Sequence, residues 1–418
     1  MIRMRVLAAT GAAAMAWLLS AGDVVGGPKP IKVGLSMALT GAVAVNGKQL
    51  LAALEIWRDD VNARGGLLGR PVELVCYDDQ SNPANVPSIY TKLISLDKVD
   101  LLIGPYATNM IAAAIPVIAS YNMMTLGIFG LEVNRQFHYP KYFSMLPTGP
   151  EGVLGFSKGF FDLARQQNPI PKTVAITAAD AEFARTAADG ARVNATSAGL
   201  DIAYDKRYPP NTMDFAPIVR AIQAADPDLV FVASYPPDSV GIVRAANEVG
   251  LSPKMLGGAM IGLLSTNIKM ALGPMLNGIV NHADFMPAPG FAFPGLQTLI
   301  KRYQAKASTA GIDPLGYEFP PFAYAAGQVL VDAVETTGSL EQDRLAAYLR
   351  DHSFQTVIGE LSFAQDGEWA KTRSLFTQFQ HVTGNDLGQF RDWAKEVVLW
   401  PPEYKSGDII YPYAAARK

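Results

Sequence analysis

Short apolar runs alternate along the chain with segments in which apolar residues recur every three or four positions. The first runs cover residues 31–37, 72–77 and 99–104, and helical spacing fills the intervals between them. Uninterrupted apolar runs predict strands of a parallel sheet that is covered on both faces, and the spacing between them predicts helices. The first helical segment ends at Gly65 and Gly66, where glycine can adopt the left-handed conformation that closes a helix. This part of the chain therefore predicts stacked βαβ units.

The same alternation begins again after a polar break at residues 148–151. The later strand-like runs are 173–177, 229–234, 255–258, 360–363 and 375–381, and the later helical patterns are 183–198, 239–249, 295–307, 317–335 and 340–349. A second α/β lobe is predicted, and the segments after residue 283 are interpreted as additions that complete first one lobe and then the other. The fold class expected is α/β, with two Rossmann-like lobes and parallel central sheets.

The domain organisation follows from these breaks. The expected parts are a signal peptide at 1–26, a first lobe at 30–147 plus 284–353, a second lobe at 148–283 plus 354–396, and a C-terminal strap at 397–418. The last part is rich in proline and aromatic residues, so we expect it to lie on the surface rather than form a domain.

The amino-terminal segment has the layout of a secretory signal. Arg3 and Arg5 precede an apolar run at 6–19, which small residues follow. That run has about 14 residues, whereas a membrane-spanning helix needs ~20. Cleavage near Ala21 is expected, with the mature protein in the periplasm. No cysteine stands directly after the run, so no lipid anchor is expected.

Composition excludes several classes of function. Hydrophobic residues make up 49% of the chain and charged residues 17%, which indicates a globular protein. The formal net charge is -3 and no run of Lys and Arg occurs, so nucleic acid is not the expected partner. Cys76 is the only cysteine, and the four histidines are scattered without metal-ligand spacing. No phosphate-binding or dinucleotide-binding glycine pattern occurs either. We therefore expect no metal, no cofactor and no enzymatic activity.

A binding site is indicated where a buried strand enters a helix at residues 103–110. Thr108 is predicted to be the helix N-cap, with free backbone N–H groups around it. Such a corner binds carboxylates. The alternative is an ordinary cap that satisfies only its own helix.

Several motifs resemble the leucine/isoleucine/valine-binding protein family of type I periplasmic binding proteins. They are IKVGLSMALTG (31–41), NARGGLLGRPVEL (62–74), YDDQSNP (77–83), LLIGP (101–105), YPPDS (235–239) and VIGELSF (357–363). The resemblance covers nearly the whole mature chain. It implies two lobes joined by a three-stranded hinge, which close on a ligand held in the cleft.

The resemblance also implies a set of ligand-binding residues. A hydroxyl at the position of Thr108 grips the ligand carboxylate in that family, helped by the backbone at Ile128. A second hydroxyl is expected at the position of Gly130, where only a backbone N–H is available here. The other positions implied to face the ligand are Asn46, Tyr106, Phe183 and Tyr235. The family's disulfide positions match Ser81 and Ala107, so that bond is absent.

The ligand class depends on two further positions. In the family two acidic residues hold the ammonium of an amino acid, and they match Glu151 and Ala259, so one is lost. An alanine cannot neutralise a buried ammonium. We therefore favour an aromatic or other organic acid. A branched-chain amino acid, or an amide or urea-like solute, stays open as an alternative.

The partners implied are a small-molecule ligand and the permease and ATPase subunits of an ABC importer in the inner membrane. A periplasmic sensor that reports the ligand to a signalling receptor is the alternative from another class. An enzyme would need a nucleophile with a base in the pocket, and the sequence nominates none.

Overall fold

The computed structural model describes residues 28–417, so the predicted signal peptide lies outside the described residues. Within 28–417, none of the helices has both the length and the apolar character that crossing a bilayer requires.

The first part of the chain forms a five-stranded parallel sheet in the order β2-β1-β3-β4-β5. Its elements are β1 (Ile31–Met37), α1 (Ala44–Ala63), β2 (Val72–Asp78), α2 (Val86–Ser95), β3 (Leu101–Tyr106), α3 (Thr108–Ser120), β4 (Thr125–Ile128), α4 (Asn134–Phe137) and β5 (Tyr142–Ser144). Gly65 and Gly66 follow α1 with positive φ, as predicted from the sequence.

The second part repeats the design. Its elements are α5 (Gly152–Arg165), β6 (Thr173–Ala179), α6 (Glu182–Ser197), β7 (Asp201–Tyr208), α7 (Ala216–Ala224), β8 (Leu229–Ser234), α8 (Pro236–Val249), β9 (Met255–Met260), α9 (Thr266–Leu272) and β10 (Val280–Ala283). These five strands are parallel to one another.

The last part contributes to both lobes. Its elements are α10 (Leu296–Ala310), α11 (Phe319–Thr337), α12 (Gln342–Asp351), β11 (Ser353–Thr356), β12 (Gly359–Ser362), β13 (Leu375–Phe379) and β14 (Glu396–Trp400). Helices α10 and α11 pack against α1, so they complete the first lobe. At Gly327 in α11, an added Cβ would lie 2.4 Å from the Trp57 ring, so the close approach of α11 to α1 requires glycine.

Two boundaries differ from those predicted. The hairpin β11–β12 was assigned to the second lobe, but Phe363 after it packs on Phe143 of β5, with ring centroids 5.1 Å apart, so it belongs to the first lobe. Residues 396–400, mostly assigned to a strap, form the edge strand of the second sheet. That sheet has the order β14-β13-β10-β9-β8-β6-β7, with β13 and β14 antiparallel at one edge.

The chain therefore passes between the lobes after β5, after β10 and after β12. Three crossover segments of this kind allow the lobes to rotate relative to each other about a common hinge. The carboxyl ends of strands from both sheets meet where the lobes face each other.

Candidate ligand-binding site

A cavity lies between the lobes, at the carboxyl ends of strands from both sheets. It contains about 370 Å³ of space free of protein atoms. The lining residues are Tyr106, Ala107, Thr108, Phe129, Leu146, Phe156, Phe183, Tyr235, Ile261, Leu264, Asp284 and Phe319. Half of them are aromatic. A ligand with a ring in this cavity would contact aromatic side chains from both lobes.

The amino terminus of α3 forms one wall of the cavity. Thr108 is the first residue of this helix rather than its N-cap, which corrects the prediction by one position. Ala107 takes the cap position with φ of 83°, a conformation rare for residues other than glycine. The Thr108 side chain is buried, and its Oγ1 accepts a hydrogen bond of 3.1 Å from the backbone N–H of Leu131. The hydroxyl proton remains available to a ligand, alongside the first-turn N–H groups that have no acceptor within the helix.

Two positions expected beside Thr108 do not line the cavity. The carbonyl oxygen of Ile128 accepts a hydrogen bond from the N–H of Ala107, and the neighbouring Phe129 faces the cavity instead. Gly130 faces the Tyr142 hydroxyl, which would lie 2.7 Å from a Cβ added to the glycine. The structure therefore brings only Thr108 of these three positions to the cavity.

A buried chain of hydrogen bonds joins the lobes beside the cavity. Asn46 of α1 donates from Nδ2 to the Tyr106 hydroxyl at 2.7 Å. Its Oδ1 accepts from the Ser265 hydroxyl of the second lobe at 2.9 Å. Asn46 therefore holds the Tyr106 hydroxyl instead of lining the cavity, and it connects the two lobes.

Aromatic rings of the second lobe face the amino terminus of α3. Phe183 packs edge-to-face on Phe156 and on Tyr235, with centroid separations of 5.2 and 5.8 Å. The Tyr235 hydroxyl oxygen is buried and has no hydrogen-bond partner in the described part of the chain. Phe183 and Tyr235 both line the cavity, so the structure brings together two of the positions that the resemblance implies.

The two positions expected to decide amine binding lie outside the cavity. Glu151 is exposed at the start of α5 and lines a separate groove together with Glu132 and Asp366. Ala259 is buried within β9, and the next residues along the chain, Ile261 and Leu264, form the wall. Neither position is brought to the aromatic lining.

The acidic side chain in the cavity wall is Asp284, which directly follows β10. Its backbone N–H donates to Glu318 Oε1 at 2.7 Å, and both residues are buried. Burial raises the pKa of Asp284 to about 8 and that of Glu318 well above its usual range, and the neighbouring charge of Asp284 raises the pKa of Glu318 further. His282 stacks on Phe156 at 3.8 Å, and burial lowers its pKa to about 3, so the imidazole is neutral.

Sequence reasoning missed Asp284, Phe156 and Phe319. A signal for Asp284 existed, because a carboxylate directly after a buried strand lies at the edge of the sheet where ligands of α/β folds bind. No such signal marked the two phenylalanines, since each lies in a helical apolar pattern that also describes ordinary core.

Comparison with known proteins gives a consistent result. A family model described as a periplasmic binding protein matches residues 30–384. The leucine-, isoleucine-, valine-, threonine- and alanine-binding protein of Pseudomonas aeruginosa is 24% identical over 340 residues, which are 81% of this chain and 87% of that protein.

Two solved structures share the fold. The branched-chain amino acid transporter substrate-binding protein LivJ of Streptococcus pneumoniae, in complex with isoleucine, has a TM-score of 0.71 at 19% identity, covering 85% of this chain and 97% of that one. A solute-binding protein of an ABC transporter from Rhodopseudomonas palustris BisB5, in complex with 3,4-dihydroxybenzoic acid, has a TM-score of 0.72 at 20% identity, covering 85% and 94%.

Proposed function

The chain belongs to the periplasmic binding protein family, in its leucine/isoleucine/valine-binding type, and from that premise we propose that it captures a small aromatic carboxylate between its two lobes. Proteins of this type are the substrate-binding components of ABC transporters. The proposal includes export to the periplasm with cleavage near Ala21, and delivery of the ligand to permease and ATPase subunits in the inner membrane.

The observation that carries the proposal is the composition of the cavity wall. Six rings line it, contributed by both lobes, and the amino terminus of α3 opens into it beside the Thr108 hydroxyl. Rings stack on or pack edge-to-face with an aromatic ligand, and helix N–H groups with a hydroxyl bind a carboxylate. No Lys or Arg is among the lining residues, so the α3 terminus and Thr108 are the groups that compensate the negative charge.

The positions of Glu151 and Ala259, which were expected to decide whether an amine binds, favour an organic acid over an amino acid. Glu151 lies in another groove, and Ala259 offers no charge. A branched-chain amino acid is the second candidate, because Asp284 provides one carboxyl group in the cavity wall. An ammonium needs that group ionised, whereas burial favours its neutral form.

A thermal-shift screen of the purified protein tests the ligand class. The panel contains benzoate, hydroxybenzoates, aliphatic acids, amides, and leucine, isoleucine and valine. A ligand that binds only the native state raises the melting temperature by mass action. Aromatic acids are expected to raise it and leucine is not. A shift with leucine and none with aromatic acids would refute the proposed ligand class.

The transport role is tested separately in cells. A strain that lacks this gene should lose high-affinity uptake of the radiolabelled ligand, and the gene carried on a plasmid should restore it. Unchanged uptake, with loss of a transcriptional response to the ligand, would assign a sensing role instead.

A further inference from the structure

The cavity wall contains a carboxyl oxygen that makes no hydrogen bond within the part of the chain that the structure describes. Asp284 is 2% exposed, and its Oδ1 has no hydrogen-bond partner among residues 28–417. Its Oδ1 lies 3.6 Å from His282 Nε2, too long for a hydrogen bond. Buried polar atoms in native proteins nearly always have partners, so this atom calls for a partner from outside the chain.

Asp284 is held as a neutral acid by its surroundings. Its neighbour Glu318 is also buried, and burial raises the pKa of each carboxyl group, so both hold their protons at neutral pH. Among residues 28–417, neither makes an ion pair with Lys or Arg, and the nearby Lys269 is paired with Glu396. A neutral carboxyl group both accepts and donates a hydrogen bond.

The protonation state restricts what this group can bind. A ligand carboxylate would be repelled by an ionised Asp284, so the cavity accepts an organic acid only while Asp284 is neutral. A ligand ammonium would first require the loss of a proton from the buried acid pair. A hydroxyl group requires no change in charge, and it complements an acid that can accept and donate.

We propose that the carboxyl group of Asp284 recognises a hydroxyl group on the ligand, so that the protein binds hydroxylated aromatic acids more tightly than the same acids without the hydroxyl. This inference rests on the proposed function, because it places the ligand carboxylate at Thr108. Thr108 and Asp284 come from different elements that line one cavity, with aromatic rings beside them. The ligand then has its carboxylate at the amino terminus of α3, its ring among the aromatic side chains, and its hydroxyl at Asp284.

Calorimetric titrations of the purified protein with benzoate, 3-hydroxybenzoate and 4-hydroxybenzoate test the inference. At least one hydroxybenzoate is expected to bind roughly 10- to 100-fold more tightly than benzoate, because the analogue without the hydroxyl leaves a buried polar group unpaired. Asp284→Leu keeps a side chain of similar size and leaves Glu318 free to remain protonated. In this variant the affinities for benzoate and the hydroxybenzoate should differ by less than about threefold. Asp284→Ala provides a second variant should the larger side chain not be accommodated, and melting curves check that each variant folds.

Two further variants separate the outcomes. Thr108→Val should weaken benzoate and hydroxybenzoate equally and leave their ratio unchanged. Asp284→Asn should keep the preference for the hydroxyl, since an amide also donates and accepts, whereas it would abolish recognition of an ammonium.

Equal binding of benzoate and both hydroxybenzoates would overturn the inference and leave the proposed function intact. A preference that survives in Asp284→Leu and Asp284→Ala would overturn it too, and would assign the hydroxyl to another group such as Tyr235. Leucine that binds the wild type but not Asp284→Asn would also overturn the inference, because Asp284 would then recognise a ligand ammonium rather than a hydroxyl. Failure of every carboxylate to bind would refute the proposed function itself.

Discussion

Replacing Ser265 with alanine removes a hydrogen bond that joins the two lobes. The Ser265 hydroxyl is fully buried and donates to Asn46 Oδ1 at 2.9 Å, beside the cavity but outside its lining. Without it, Asn46 Oδ1 stays buried in the closed protein and loses its partner. Leaving such an acceptor unsatisfied costs about 1 to 3 kcal/mol.

The cost falls on the closed form alone, because both groups are hydrated when the lobes are apart. If the ligand is bound only in the closed form, the apparent Kd rises by the same free energy, about 5- to 150-fold. The assay is calorimetric titration of wild type and Ser265→Ala with the strongest ligand from the thermal-shift screen. Small-angle scattering with saturating ligand reports whether the variant still closes.

The chain offers a matched control within one lobe. Ser157 of α5 is also fully buried, and its Oγ accepts from Asn194 Nδ2 at 2.9 Å. Ser157→Ala should lower the melting temperature and leave the ligand Kd unchanged, since neither residue changes its neighbours when the lobes move. A Kd in Ser265→Ala within twofold of wild type would refute the link between this contact and closure.

Three other variants give distinct results. Thr108→Val should weaken the binding of aromatic acids about 10- to 100-fold by calorimetry, because the variant lacks the hydroxyl that donates to the charged carboxylate. Thr177→Val removes a buried hydroxyl of β6 and should leave binding unchanged. Equal losses of affinity in the two variants would contradict the role of Thr108. Burial raises the pKa of Glu368 to about 8, so the native state holds a proton that the unfolded chain has released above about 4.5. The free energy of unfolding should therefore fall as pH rises from about 5 to 8, by at most ~1.4 kcal/mol per pH unit for this residue, and urea denaturation of Glu368→Gln should show a flatter dependence; an unchanged slope would contradict the assignment. Glu151→Gln should change the Kd less than twofold, because Glu151 lies outside the cavity. A large loss of affinity would show that Glu151 takes part in ligand binding.

The sequence was informative where strands are buried on both faces. Such strands are continuously apolar, and the predicted bounds of the strand at 229–234 agree with those observed. Strand β7 was missed because it lies at the edge of its sheet and its side chains are mostly exposed, so its polar sequence has no strand pattern.

Local backbone geometry limited the prediction at Thr108. The helix begins one residue earlier than expected, because Ala107 takes the cap position with a positive φ and its N–H donates to the carbonyl oxygen of Ile128. Sequence rules assign such a conformation to glycine, and an alanine there depends on the surrounding strands.

Long-range geometry decides which acidic side chain lines the cavity. Whether Glu151 or Asp284 faces the cavity depends on how the crossover segments leave each sheet and how the lobes meet. Periodicity in the sequence has no information about either. The hairpin β11–β12 was misassigned for the same reason, since only the packing of Phe363 on Phe143 attaches it to the first lobe.

A crystal structure of the protein with the strongest aromatic acid from the screen tests the central claim most directly. The ligand carboxylate should lie about 3 Å from Thr108 Oγ1 and the first-turn N–H groups of α3, with the ring among the aromatic side chains of both lobes. A ligand bound in the groove beside Glu151, or with its carboxylate turned away from Thr108, would contradict the account.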